Sequence, residues 1–216
     1  MWRPPGKSVR ASSSTRSPSS ILHLLAKSGE AVDPSRNMLS NLTPAPQVCR
    51  IQGRAEAIPV ANASVDMVFI SMAWHHIEDK QTAAVEIIRV LRHNGLLFIR
   101  TCTVETLNTY FYLRFFPAAL RISQQTLPAR QSVTELFQDS GLFVRERITI
   151  RQQLDSNLFN YSDRIAQRGY SDLVSITDEE FHEGLAQLES FCHRRQQEHG
   201  DQSVHEDVDL FVFERQ

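Results

Sequence analysis

The chain has 216 residues, with 25 acidic and 23 basic side chains, a net charge of −2 and an apolar fraction of 41%. These totals suit one globular domain able to bury a sizeable core, and they give no case for nucleic acid or an anionic membrane as an obligatory partner. No apolar run approaches the roughly 20 residues of a membrane span, and three widely spaced cysteines without CxxC pairing (Cys49, Cys102, Cys192) point to a reducing, cytoplasmic setting with no structural zinc or other metal site.

Residues 1–20 are rich in Ser, Arg and Pro, and the first acidic residue of the chain is Glu30. Such a composition cannot offset its ordering entropy, so it predicts a disordered segment ahead of a domain spanning 21–216. An organelle transit peptide would share this composition, although no clear amphipathic helix stands in it. Ile21–Lys27 is a short apolar helical piece closed by Gly29, and Ala31–Asp33 looks like the end of a strand running into a turn. Ser35 can cap a further helical turn through Met38 and Leu39. After Pro44 and Pro46, Val48–Gln52 has the alternating character of a short strand.

The stretch from Gly53 to Thr101 organises the rest. Val65–Met72 is a short apolar run of the kind found in a strand covered on both faces. Lys80–His93 carries apolar residues at helical spacing, Gly95 is placed to adopt the left-handed conformation that ends a helix, and Leu96–Arg100 resumes as a strand. Strand, helix and strand in this order make a parallel crossover, whose site lies at the carboxyl ends of the strands, near Ser71–His76 and Thr101–Thr103. Beyond it come an aromatic-rich segment (104–125), a helix predicted to open at the capping pattern Ser132–Glu135 and to end at Gly141, and an alternating strand at Leu142–Gln153. Tyr161–Tyr170 reads as a polar helix, with Tyr161, Arg164, Arg168 and Tyr170 forming either a second candidate acceptor patch or, as favoured, an ordinary solvated face. A second capping box at Thr177–Glu180 opens a helix carrying Phe181, Leu185, Leu188 and Phe191; 194–207 reads as polar loop, and Val208–Glu214 as a closing strand.

Five phrases in order, VDPSRNML, GRAEAIPV, SVDMVFISMAWHHI, RVLRHNG and LLFI, resemble the nucleotide-binding core of class I S-adenosylmethionine-dependent methyltransferases of the broad small-molecule group. The resemblance is strong over 31–101. It implies an α/β fold, a Rossmann-like, doubly wound, mostly parallel sheet ending in an antiparallel strand pair, and S-adenosyl-L-methionine as cofactor. By resemblance, Asp33 receives the ribose hydroxyls, Met38 packs on the adenine, Arg54, Ala55 and Glu56 sit at the adenine edge, and Ser71 and Met72 touch the methionine moiety. The family usually has an acidic residue where Arg54 stands.

His75 and His76 are candidates for a general base or an orienting group. Because adjacent side chains diverge, one is expected to face the site at best, the other being buried or solvent-facing. The aromatic segment supplies Tyr110, Tyr112 and Arg114, with Arg121 and Arg130, as candidates for the wall that receives a small-molecule methyl acceptor, or as a cover for the sheet.

One family feature is missing. A strand and a G-x-G-x-G turn should precede the aspartate, yet no glycine lies between Gly6 and Gly29. Only Glu30, Ala31 and Val32 separate Gly29 from Asp33, so that strand also reads as short, and the N-terminal strand is expected to be missing. Three explanations stand: a degenerate methyltransferase, an absent first strand, or a serine-rich loop that still holds the cofactor. The alternative functions are a catalytically inactive binding or regulatory partner and, more weakly, an NAD(P)-dependent oxidoreductase sharing the alternating α/β pattern.

Overall fold

The structure is a computed structural model in which residues 7–12, 28–42 and 48–216 are described. Strand β1 (Lys7–Ser12) comes first, followed by β2 (Ser28–Asp33), α1 (Arg36–Ser40), β3 (Val48–Gln52), β4 (Val65–Ser71), α2 (Lys80–Val90) and β5 (Leu91–Thr101). Two 3-10 turns, Val104–Thr109 and Phe111–Arg114, lead to α3 (Pro117–Thr126) and α4 (Arg130–Asp139). The chain closes with β6 (Leu142–Asp155), α5 (Leu158–Ala166), α6 (Ser171–Val174), α7 (Asp178–His199) and β7 (Val204–Arg215).

The strands form a seven-stranded sheet in the order β3-β2-β1-β4-β5-β7-β6. The first five run parallel, and β7 is antiparallel to both β5 and β6. The chain winds outward from β1 to β3, then returns to β4 on the other side of β1, which puts the topological switch between β1 and β4. Register aligns Ser12 with Ser71 and Asp33 with Gln52, so these strand ends share one edge of the sheet.

Several sequence expectations are corrected here. The N-terminal strand is not missing: Lys7–Ser12, inside the segment expected to be disordered, forms β1 in a central slot of the sheet. Ladders with β2 and β4 satisfy backbone groups on both sides of β1, a tertiary gain that composition does not report. The rest of 1–20 and the Ile21–Lys27 helix lie outside the described residues. Helix α2 stops at Val90, β5 begins at Leu91, and the left-handed residue past the helix is Asn94 (φ 60°), inside the irregular start of β5, not Gly95. Gly95 is needed for space, since a Cβ there would lie 2.8 Å from the Arg92 carbonyl oxygen. Helix α4 starts at Arg130 without a side-chain cap, and the Ser132 hydroxyl donates back to the Ala129 carbonyl from inside the helix. Capped by the predicted Thr177–Glu180 box, α7 continues through the polar residues 194–199 to Gly200, and β7 starts at Val204 because β6 pairs with it along almost its full length. The expected 194–207 loop shrinks accordingly.

Two apolar clusters hold the domain. One packs Ala84 and Ile87 of α2 and Phe137 of α4 on Val68, Ile70, Leu97, Phe211 and Phe213 of the sheet. The second lies over the carboxyl ends of the strands, where Tyr112, Phe116, Tyr161, Leu188 and Val208 join the turns, α3, α5, α7 and β7.

Asp209 of β7 ties these parts together. It is fully buried, and its carboxylate accepts hydrogen bonds from Arg130 Nε (2.7 Å) and Nη2 (3.0 Å) and from the Thr103 and Thr149 hydroxyls (2.7 Å each). Burial alone would raise its pKa; those hydrogen bonds, with the Arg130 charge, outweigh it and hold the carboxyl below its ordinary range. Asp209→Ala should therefore cost about 3–5 kcal/mol in urea unfolding. Because the folded pKa is depressed, the contribution is present above the unfolded carboxylate pKa and is lost as pH falls through the folded value, so the gap between wild type and variant should close below about pH 4.

Candidate active site

Asp33 ends β2 and is 0% exposed. Its Oδ1 accepts the Ser35 N–H at 2.6 Å, while Oδ2 is buried with no hydrogen-bond partner among the described residues. Burial pushes the carboxyl up to about 6, only partly offset by the Ser35 N–H. Ser35 caps α1 as expected, accepting the Met38 N–H at 3.4 Å, and Met38 is buried. Gly53 follows β3 and donates its N–H to the Asp33 carbonyl at 3.2 Å. A Cβ at Gly53 would lie 2.6 Å from Pro59 Cδ and 3.1 Å from Val32 Cγ1, so the chain passes beside Asp33 only with glycine there.

In the next loop Ala55 is buried in the core. The exposed Arg54 pairs with Glu56 and Glu78 at 3.4 Å each. The loop is pinned to α2: Arg89 donates to the carbonyls of Ile58 and Val60 and to Asn62, while Glu86 accepts the Ile58 N–H.

At the end of β4, Ser71 is buried and its hydroxyl accepts a hydrogen bond from Arg100 at 3.1 Å. Arg100 also donates to Gln152 of β6. Met72 has φ 54° and donates its N–H to the Arg100 carbonyl at 2.7 Å. A left-handed methionine costs of order 1–2 kcal/mol, strain located at the strand end where a ligand would sit.

The histidines do not diverge as expected. In the 3-10 turn Trp74–His76 their rings pack together with centroids 4.0 Å apart, and both are half-buried. His75 Nδ1 is buried without a hydrogen-bond partner among the described residues, and burial, then His76 and Lys80, bring its pKa down to about 3. Burial and then Lys80 lower His76 as well, so neutral imidazoles are favoured.

All four tyrosines of the chain gather over the carboxyl end of β5. Tyr110 places its hydroxyl 2.6 Å from Cys102 Sγ, which lies 4.0 Å from Met72 Sδ. The Tyr112 hydroxyl donates to Asp172 at 2.7 Å, and Tyr161 accepts the Tyr112 N–H at 3.1 Å and donates to Glu206 Oε1 at 3.4 Å. Tyr170 packs on Tyr112 with centroids 5.0 Å apart. The face expected to be solvated is thus turned inward at Tyr161 and Tyr170, while Arg164 pairs with Asp155 at 2.7 Å. Arg114 is not brought to this group: its exposed guanidinium lies 5.3 Å from the Phe111 ring centroid and lines a separate cavity of about 220 Å³ with Arg121 and Glu180.

Sequence reasoning missed Glu206. It stands at an inward position of β7 between Val204 and Val208, and it is 2% exposed. The signal was the period-two pattern of Val204, Glu206 and Val208, legible only once the strand is known to begin at Val204. Among the described residues no group of three His, Cys, Asp or Glu side chains could hold a metal ion, and no helix is long and apolar enough to cross a membrane.

This sheet order, five parallel strands followed by an antiparallel pair, is a Rossmann-like fold shared with methyltransferases of known structure. Residues 14–99 match the family model described as a methyltransferase domain. Over 68 residues the chain is 46% identical to an uncharacterized methyltransferase of Mycobacterium tuberculosis, covering 31% of this chain and 28% of that protein. It is 44% identical over 52 residues to the malonyl-[acyl-carrier protein] O-methyltransferase of Hahella chejuensis, covering 24% of this chain and 19% of that protein. The chain therefore spans under a third of the length of these relatives. Among solved structures, a methyltransferase assigned to an antibiotic biosynthesis pathway of Anabaena variabilis superposes with a TM-score of 0.67 at 18% identity, covering 85% of this chain and 81% of that one. The [4+2]-cyclase SpnF superposes with a TM-score of 0.56 at 11% identity, covering 88% and 67%. A cyclase on this fold illustrates that the fold alone does not set the reaction.

Gly53→Ala should lower stability by about 1–3 kcal/mol in thermal unfolding, since Pro59 must move. For Asp33, the raised folded pKa means its stabilising contribution is present below the unfolded value of about 3.9 and is lost as pH rises through about 6. Asp33→Asn should flatten that part of the stability profile, a change readable from unfolding midpoints at pH 4 to 7.

Proposed function

We propose that this protein is an S-adenosylmethionine-dependent methyltransferase acting on a small molecule. The observation that carries the reading is Asp33: a buried carboxylate oxygen without a partner among the described residues, at the carboxyl end of β2, where Gly53 donates its N–H to the Asp33 carbonyl. An ionised carboxylate accepts through both oxygens, which suits a ribose diol. Met38, the Arg54–Glu56 loop and the Ser71–Met72 strand end would complete the cofactor's surroundings. The donor set fits the cofactor, because the unmet capacity in this half of the site is for accepting hydrogen bonds at Asp33.

The cofactor supplies an electrophilic sulfonium methyl group, so the chain's own task is to align the acceptor and exclude water. Alignment of this kind can supply roughly 7–11 kcal/mol. A base is required only for an acceptor that must lose a proton, and it would add about 10²–10⁴-fold. The neutral His75–His76 pair is one candidate for that role.

The missing glycine turn favours a second reading, in which the domain no longer binds the cofactor and serves as a binding or regulatory partner. Calorimetric titration with S-adenosylmethionine separates the two. The enzyme reading expects heat and a thermal shift for the wild-type chain and neither for Asp33→Ala. Absence of both signals for the wild type at millimolar cofactor would sink it.

A further inference from the structure

Glu206 is a buried carboxyl over the strand ends with a single described hydrogen bond. It is 2% exposed in an otherwise apolar strand register, and the hydrogen bond described for it is a long one from Tyr161 at 3.4 Å. By contrast, Asp172 accepts from Tyr112 and Ser123 at 2.7 Å each and from the Leu173 N–H at 2.8 Å. A valine at 206 would continue the Val204–Val208 packing without the cost of burying a carboxyl, so the fold alone gives no reason for glutamate there. The position also adjoins the proposed methyl-transfer crest. Gln152, the register partner of Glu206, is held by the same Arg100 that donates to Ser71. From the other side, Met72, Cys102 and Tyr110 run from the crest toward β7 through contacts of 4.0 and 2.6 Å, and Tyr110 donates to the Asp207 carbonyl at 3.3 Å.

We propose that Glu206, hydrogen-bonded by Tyr161 and flanked in β7 by Val204 and Val208 of the cluster that also holds Tyr110 and Tyr170, binds the ammonium group of an amine acceptor and takes its proton, an assignment that rests on the methyltransferase reading above. A cation suits this site on two grounds. Aromatic faces and a carboxyl together attract ammonium groups, and the cation that bears on Glu206 most directly, Arg164, is already engaged by Asp155. The proton moves from the ammonium nitrogen to a Glu206 oxygen, leaving the nitrogen lone pair free. That pair forms the new nitrogen–carbon bond as the carbon–sulfur bond breaks with its electrons left on sulfur, so the positive charge passes from sulfur to nitrogen.

The titratable groups whose charge bears on Glu206, or on which Glu206 bears, are Tyr161 and Arg164 of α5, Asp172 of α6, Asp155 of β6, Tyr170 before α6, and Cys102, Tyr110 and Tyr112 after β5. Burial first, with Asp172 and Asp155 adding, pushes Glu206 up to about 8 against the opposing influence of Tyr161 and Arg164. The free carboxyl is therefore mostly protonated at neutral pH, and an arriving ammonium group favours its ionised form.

The test uses the full chain, carboxyl-labelled with carbon-13 at glutamate, with benzylamine as probe and benzyl alcohol as the uncharged comparison. Benzylamine should shift the Glu206 carboxyl resonance toward the ionised form, and its affinity should strengthen from pH 6 to about 8 and beyond, until the amine itself deprotonates. Glu206→Gln, nearly isosteric, should weaken benzylamine by about 30-fold or more and abolish that pH dependence. Glu206→Asp should retain part of the affinity, and benzyl alcohol should bind both variants like wild type. Unchanged benzylamine affinity in Glu206→Gln, or no benzylamine binding to the folded wild type, overturns the proposal. If Glu206→Gln fails to fold, the wild-type carboxyl resonance and Glu206→Asp decide it. The cofactor titration on the same samples keeps the two readings apart: cofactor binding without amine binding sinks the acceptor site alone, whereas amine binding without cofactor binding sinks the methyltransferase reading alone.

Discussion

Four donors from three parts of the chain converge on the buried carboxylate of Asp209, and one of the donor side chains is the Arg130 guanidinium. Thr103 brings the end of β5, Thr149 brings β6, and Arg130 brings the start of α4, all onto β7. The chain leaving β5 is thereby set before it enters the two 3-10 turns that carry Tyr110 and Tyr112. Such an ion pair need not add net stability over an apolar substitute. Its use here is geometric, because a carboxylate with four oriented donors admits one arrangement of the elements around it.

Four buried carboxyls respond differently to the same desolvation. Asp209, with a guanidinium among its donors, titrates below its ordinary range. Asp172 accepts three neutral donors and is still raised, so neutral hydrogen bonds alone do not overcome burial there. Asp33 and Glu206 each have one described hydrogen bond and rise to about 6 and about 8. The one lowered carboxyl has a charged donor, and the three raised ones accept hydrogen bonds from neutral donors. That difference separates a carboxylate that serves the fold from the two whose hydrogen bonding is left unfinished beside the strand ends.

Those two flank the switch point from opposite sides. Asp33 belongs to the β2 side, where Gly53 and the loop pinned by Arg89 shape the proposed cofactor half. Glu206 belongs to the β7 side, under the helices α5 to α7. Met72, strained and half-exposed, lies between them. A methyl donor and its acceptor need two differently furnished halves meeting at one point, and under the proposed function that point would be the end of β4.

The sequence by itself determined the central crossover, the strand ends at Asp33 and Ser71 and the Ser35 and Thr177 caps. Each of these rests on interactions within a few residues or on a periodicity that burial imposes locally. Composition failed at β1, where Lys7–Ser12 becomes a strand through ladders supplied by β2 and β4. It failed again at Val204–Asp207, which reads as polar loop until β6 pairs with it. The gathering of Tyr110, Tyr112, Tyr161 and Tyr170 around Glu206 spans about half the chain, and only the tertiary structure decided it. Local patterns record which face of an element is apolar; they hold no record of which distant side chains that face will meet.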